Sequence, residues 1–138
     1  MDHLKCVMVI DAELPVGVAA NTSAVLGVTL GKQVSGLVGP DVMDGSGQLH
    51  LGITRIPVTI LRGDRESIKR LRASLYAPEF KDLLVADFSE VAQSCHVYSE
   101  YAEKASALCG QEYNYLGVAI HGDRKKVNKL TGSMPLLR

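Results

Sequence analysis

The segment that most constrains the fold is Leu4-Lys5-Cys6-Val7-Met8-Val9-Ile10, an apolar run that ends at Asp11. Strand side chains point alternately to opposite faces, so a strand with one wet face alternates apolar and polar residues. This run does not alternate. It predicts a central strand covered on both faces, and with it a sheet carrying helices on each side.

The remaining segments supply the other pieces. Val18 to Leu30, rich in Ala, Val and Leu with Gly31 at its end, predicts a helix buried on most sides. Gly36 to Ile53 carries Gly39-Pro40 and Asp44-Gly45-Ser46-Gly47 and predicts an extended excursion with a hairpin. Ile56–Leu61 predicts a second strand with Pro57 near its start, where a missing N–H is tolerated. Asp64 then caps a helix whose Ile68, Leu71 and Leu75 form one buried stripe, closed by Pro78.

Leu83–Ala86 predicts a third strand ending on Asp87. Beyond it, Val91, Cys95, Tyr98, Ala102, Ala105 and Cys109 recur at steps of four and three, which predicts one long helix packed along that seam. Leu116–Ile120 predicts a fourth strand, and Arg124 to Leu130 a short basic helix with Val127 and Leu130 inward. The expectation is an α/β, three-layer architecture over a single domain of residues 1–138: a mixed four-stranded central sheet with helices on both faces.

Fifteen Lys and Arg balance fifteen Asp and Glu, so no whole-molecule field draws in nucleic acid or an anionic membrane. The apolar runs fall far short of the ~20 residues of a spanning helix, so no membrane partner is expected. Cys6, Cys95 and Cys109 are an odd trio without CxxC spacing, and no leader pattern precedes them, which fits a cytoplasmic home.

In open sheets with helices on their faces, ligands bind beyond the carboxyl ends of the strands. That rule points to Asp11 through Asn21, Asp87 through Gln93, and His121 through Arg124. Asn21, one helical turn beyond Gly17, shares a face with Val18 and Val25, and is read either as orienting a carbonyl or water or as satisfying a neighbouring loop. Asp11 and Asp87 end strands, each a candidate general base or a cap on the following turn. Adjacent Cys95 and His96 would diverge by about 100° on a helix and so form no dyad. The four histidines show no metal-ligand spacing, Gly27 to Gln33 departs from a phosphate loop, and the first turn lacks GxGxxG, so neither metal nor cofactor is expected. Arg62, Arg65, Lys69, Arg70 and Arg72 form one basic cluster, read as a solvated helix face. Arg124, Lys125, Lys126 and Lys129 form another, read either as a solvated face in the same way or, because it follows a strand end beside the expected cleft, as a place that could meet phosphates.

Several motifs carry a resemblance. The opening strand, Asp11 and Val18-Ala19-Ala20-Asn21-Thr22-Ser23-Ala24, the strand ending at Asp87 with Gln93 beyond, and Val118-Ala119-Ile120-His121-Gly122-Asp123 followed by Thr131-Gly132 resemble the archaeal and eukaryotic (type two) peptidyl-tRNA hydrolases. Pro15-Val16-Gly17, Leu37-Val38-Gly39-Pro40-Asp41 and Lys129-Leu130-Thr131-Gly132 are similar to a bacterial family catalogued as domain of unknown function 2000, regarded as a relative of those hydrolases. The resemblance implies the hydrolase fold and a site in which Asn21 takes the place of the family's Gln. Val16, Gly17 and Val18 stand where the hydrolases have a Lys, and their helix His falls on Ala24 or Val25, which argues against authentic peptidyl-tRNA hydrolysis.

Two classes of function follow. One is a hydrolase-like enzyme on an ester or acyl substrate, a small molecule or an RNA-linked acyl group, with Asn21 and Asp87 catalytic and Asp11, Gly17, Gln93, Lys125 and Lys126 binding. The other is a non-catalytic small-ligand-binding or homodimeric interaction module, and an enzyme on an unrelated small molecule also stays open.

Overall fold

The computed structural model describes residues 2–138. In chain order the elements are β1 (Leu4–Asp11), α1 (Val16–Gln33), β2 (Val42–Met43), β3 (Leu49–His50), β4 (Val58–Gly63), α2 (Arg65–Ser74), β5 (Leu84–Ser89), α3 (Glu90–Gln93), α4 (Tyr98–Ser106), β6 (Tyr115–Asp123) and α5 (Arg124–Thr131). Short 3-10 turns at Pro78–Phe80 and Gly110–Glu112 complete the list.

Four strands form one mixed sheet in the order β4-β1-β6-β5. β1 pairs with β4 in parallel, and β6 runs antiparallel to both β1 and β5. The opening run is central, as its continuous apolar character predicts, and Cys6 through Ile10 are buried. Its alternate residues serve two cores. Val7 and Val9 pack with Ile68 and Leu71 of α2 and Val127 of α5. Cys6, Met8 and Ile10 pack on the other face with Leu26 and Leu30 of α1. Burial of Cys6 pushes its thiol up to about 11, so it behaves as a small apolar side chain.

α1 lies close to the sheet because β6 carries Gly117 beneath it. A Cβ there would fall 2.7 Å from Ile10 Cδ1 and 2.9 Å from Thr22 Cγ2. Asp64 caps α2 by accepting from the Ser67 N–H at 2.8 Å, while Ser67 Oγ accepts from the Asp64 N–H. That reciprocal box fixes where the Ile68–Leu71–Leu75 stripe begins. The excursion is a hairpin, β2 against β3, in which residues 41–50 are all exposed.

Three expectations are corrected. The third strand runs through Asp87 to Ser89 rather than ending at Asp87. Pro57 lies outside the second strand, which starts at Val58. The long helix over Val91 to Cys109 is broken into α3 and α4, neither of which holds a buried residue. The cause is local: Ser94 Oγ and Cys95 Sγ both donate to the Val91 carbonyl, at 2.9 and 3.2 Å, in competition with the backbone. Val97 then turns extended at φ −124° and ψ 136°.

Candidate functional site

The two ends of the sheet are occupied differently. The carboxyl ends of β1, β4 and β5 share one end with the start of β6. Because β6 is antiparallel, its own end at Asp123 pairs with Leu4 at the opposite end of β1. Asp11 lies seven residues farther along, roughly 23 Å away at the rise of an extended strand. Lys125 and Lys126 therefore do not stand beside the cleft expected for them. Lys126 bonds Asp82 at 2.8 Å, and that contact holds the Asp82 carboxyl below its ordinary range.

The other candidates separate as well. Asp11 Oδ1 accepts from the Glu13 N–H at 2.9 Å and caps the turn. Gly17 and Asn21 are exposed on α1, whose buried stripe is Thr22, Leu26 and Leu30. Asn21 stands beside that stripe, not within it. α1 covers the Cys6–Met8–Ile10 face, whereas the Asp87 carboxylate reaches Arg72 of α2 on the opposite face. Asn21 and Asp87 are thus not brought together. Gln93 is exposed at the end of α3.

What gathers around Asp87 is a site at the β5 edge. Residues 90–114 link β5 to β6 and lean over that edge, leaving a cavity on each side. One, of about 470 Å³, is lined by Val25 and Thr29 of α1, by Ala86, Asp87 and Phe88, and by linker residues including Cys95, His96 and Tyr101. Three consecutive strand residues point to alternating faces, so a cavity lined by all three lies against the strand's open edge. Cys95 donates to Val91 rather than to His96.

The second cavity, of about 500 Å³, lies between α2 and the linker's return. Lys69, Arg72, Ala73 and Tyr76 form one wall, Cys109, Gly110 and Gln111 the other, with Tyr115 also lining it. Arg72 is the organising side chain. Its Nε donates to Asp87 Oδ2 at 2.8 Å, with the two side chains 14% and 25% exposed. Its guanidinium also lies over the Tyr76 ring, 4.2 Å from the centroid. The terminal nitrogens have no protein acceptor among the described residues. They remain free to fork onto a carboxylate or phosphate. Burial pushes the Tyr115 hydroxyl up to about 12, reinforced by the Asp87 charge and opposed by Arg72, so it stays a neutral wall. A bulge between Phe88 and Ser89 sets Tyr115 opposite Ser89 beside this cavity.

The sequence reading counted Arg72 among solvated charges and missed it. The available signal was spacing: Arg72 falls four residues after Ile68 and three before Leu75, on the buried stripe. Among the described residues no three His, Cys, Asp or Glu side chains converge as a metal site requires, and no helix is long and apolar enough to cross a membrane.

No curated protein matches the chain. A solved structure, that of a protein of unknown function from Agrobacterium tumefaciens strain C58, superposes with a TM-score of 0.87 at 20% identity, covering 99% of this chain and 98% of that one. At that identity the likeness concerns the fold. A family model described as "Protein of unknown function (DUF2000)" matches residues 4–138, and the chain belongs to that family.

Proposed function

We propose that this chain is a small-ligand-binding protein whose site is the cavity between α2 and the β5–β6 linker, and that its ligand is a compact anion with a flat apolar body. The observation that carries the reading is Arg72, held at Nε by Asp87 and beneath by the Tyr76 ring, with its terminal nitrogens unengaged. A guanidinium fixed before the ligand arrives loses little freedom on binding it. Lys69, one turn earlier on α2, adds a second cation, so two positive charges face one carboxylate. Tyr76 and Tyr115 supply flat apolar walls, and a volume of about 500 Å³ is in the range of small-molecule sites.

The hydrolase reading draws its support from the resemblance. It requires Asn21 and Asp87 in one pocket, whereas Asn21 does not line the cavity that Asp87 shares with Val25 and Thr29 of α1, and Asp87 is bonded to Arg72. Binding is therefore the better-supported function.

Titration with phenyl phosphate and with benzoate tests it. Wild-type protein is expected to bind at least one of them, and Arg72→Met to bind about 10- to 100-fold more weakly, the worth of a charge-assisted hydrogen bond. Lys125→Met, at the far end of the sheet, is expected to bind as wild type. Cys109, exposed on the cavity wall, is expected to react more slowly with iodoacetamide when the probe is bound. A folded Arg72→Met protein with undiminished affinity would refute the assignment.

A further inference from the structure

The hairpin arm between α1 and β4 carries apolar residues that belong to neither core. Val38, Val42, Met43, Leu49, Leu51 and Ile53 are 47% to 79% exposed. Two-residue strands give an isolated hairpin marginal stability, yet the base of this arm is fixed. Gly39 N–H donates to the Ile53 carbonyl and Arg55 N–H to the Leu37 carbonyl, at 2.9 and 2.8 Å. Gly52 passes so close to Gly39 that a Cβ would fall 1.8 Å from its carbonyl oxygen. The tip is tied by Asp44, which accepts from the Ser46 and Gln48 N–H groups and meets His50 Nε2 at 2.8 Å. A shaped arm with an apolar surface of this size marks an interaction site.

A second surface on the same chain matches it. The outward face of α1 has no charged residue from Val16 to Gly31, and Val28, opposite the buried stripe, is 76% exposed. Its 18 residues span about 27 Å, and the arm from Gly39 to its tip reaches about 25 Å in extended conformation.

We propose that the arm docks on the outer face of α1 of a second copy of this chain, in a two-fold dimer where each arm crosses the other copy's helix. The area fits. Met43 and Leu49 pair on one face of the hairpin and Leu51 and Ile53 continue that alternation, so these four at their observed exposure offer roughly 400 Å² of apolar surface per arm. Two arms and the two surfaces they cover remove about 1,600 Å² from water, the size of a standard stable interface. The self-complementary exchange uses one interface twice, as two-fold symmetry requires, and the zero net charge of each copy opposes nothing.

Sedimentation velocity at micromolar concentration tests this, together with flotation on phosphatidylcholine vesicles. The wild-type chain of 14.9 kDa is expected to sediment as a dimer and to leave vesicles unbound. Leu51→Lys with Ile53→Lys on the arm, and separately Val28→Lys on α1, are each expected to yield monomers with unchanged circular dichroism, since all three positions are exposed within one copy. A wild-type monomer, a dimer indifferent to either variant, or a monomer that binds vesicles through the arm would overturn the proposal.

Discussion

The sheet has two edges, and the chain treats them differently. At β4 the final residues lie against the strand: Arg62 N–H donates to the Pro135 carbonyl at 2.8 Å, Leu137 N–H donates to the Ile60 carbonyl at 3.1 Å, and Leu61 bridges Leu136. At β5, among the described residues, no backbone bond joins the outer side of Leu84–Phe88 to the linker that covers it. Backbone pairing holds the tail directly against β4, and the cavity there, of about 350 Å³, lies at the strand's end, between Arg62, Gly63 and Asp64 and the tail residues Ser133 to Pro135. A cover that stands off the edge leaves cavities, and here those cavities contain the Arg72–Asp87 pair. The edge left without backbone partners is the one that can receive something else.

Several variants would break or sharpen this contrast. The largest effect is expected at the sealed edge. Leu137→Asp removes a half-buried side chain from the α1 core and loosens the tail, and should cost about 3 kcal/mol in urea unfolding, with aggregation of the exposed β4 edge. A loss below 1 kcal/mol would mean that the tail does not seal the edge.

At the open edge, Arg72→Met strands the Asp87 carboxylate in a partly buried place and should cost about 2 kcal/mol, less than a fully buried pair would. Asp87→Asn should cost less, and a double-mutant cycle should return a coupling on the order of 1 kcal/mol. Additive effects would show that the pair is no more than a surface contact.

Alkaline pH addresses the same place. Tyr115 titrates at about 12 when folded against 10.0 ordinarily, so its contribution is complete below pH 10 and is lost as pH rises through that interval. The expected signature is an alkaline fall in stability that is shallower in Tyr115→Phe. Identical profiles would place Tyr115 in an ordinary environment.

The smallest effect is expected on α1. Exposed Asn21 changed to Ala should alter the unfolding free energy little, or raise it by about a few tenths of a kcal/mol through helix propensity. A loss above 1 kcal/mol would reveal a structural duty that its exposure does not suggest.

These contrasts explain what could be read from the sequence. The central strand announced itself because two-sided burial leaves no polar alternation, and Asp64 announced α2 because caps are local chemistry. The seam from Val91 to Cys109 misled because spacing specifies which face a helix would bury, not whether a surface exists to receive it. Side-chain competition for the Val91 carbonyl ended the helix instead. The Lys125–Lys126 placement failed because strand direction is a tertiary choice: β6 runs antiparallel, so its end faces away from Asp11. Asp87 was legible as a carboxylate in an apolar strand, but its partner lies fifteen residues earlier on another element, beyond any local pattern.

Residue-resolved amide hydrogen exchange, with and without phenyl phosphate, tests the contrast most directly. The account predicts that Arg62 and Leu137 amides are protected in both conditions, while the probe slows exchange over Lys69–Tyr76 and Gly110–Tyr115. Slowing confined to Gly17–Asn21 or to the β4 edge, or Arg62 exchanging as fast as a free amide, would contradict it.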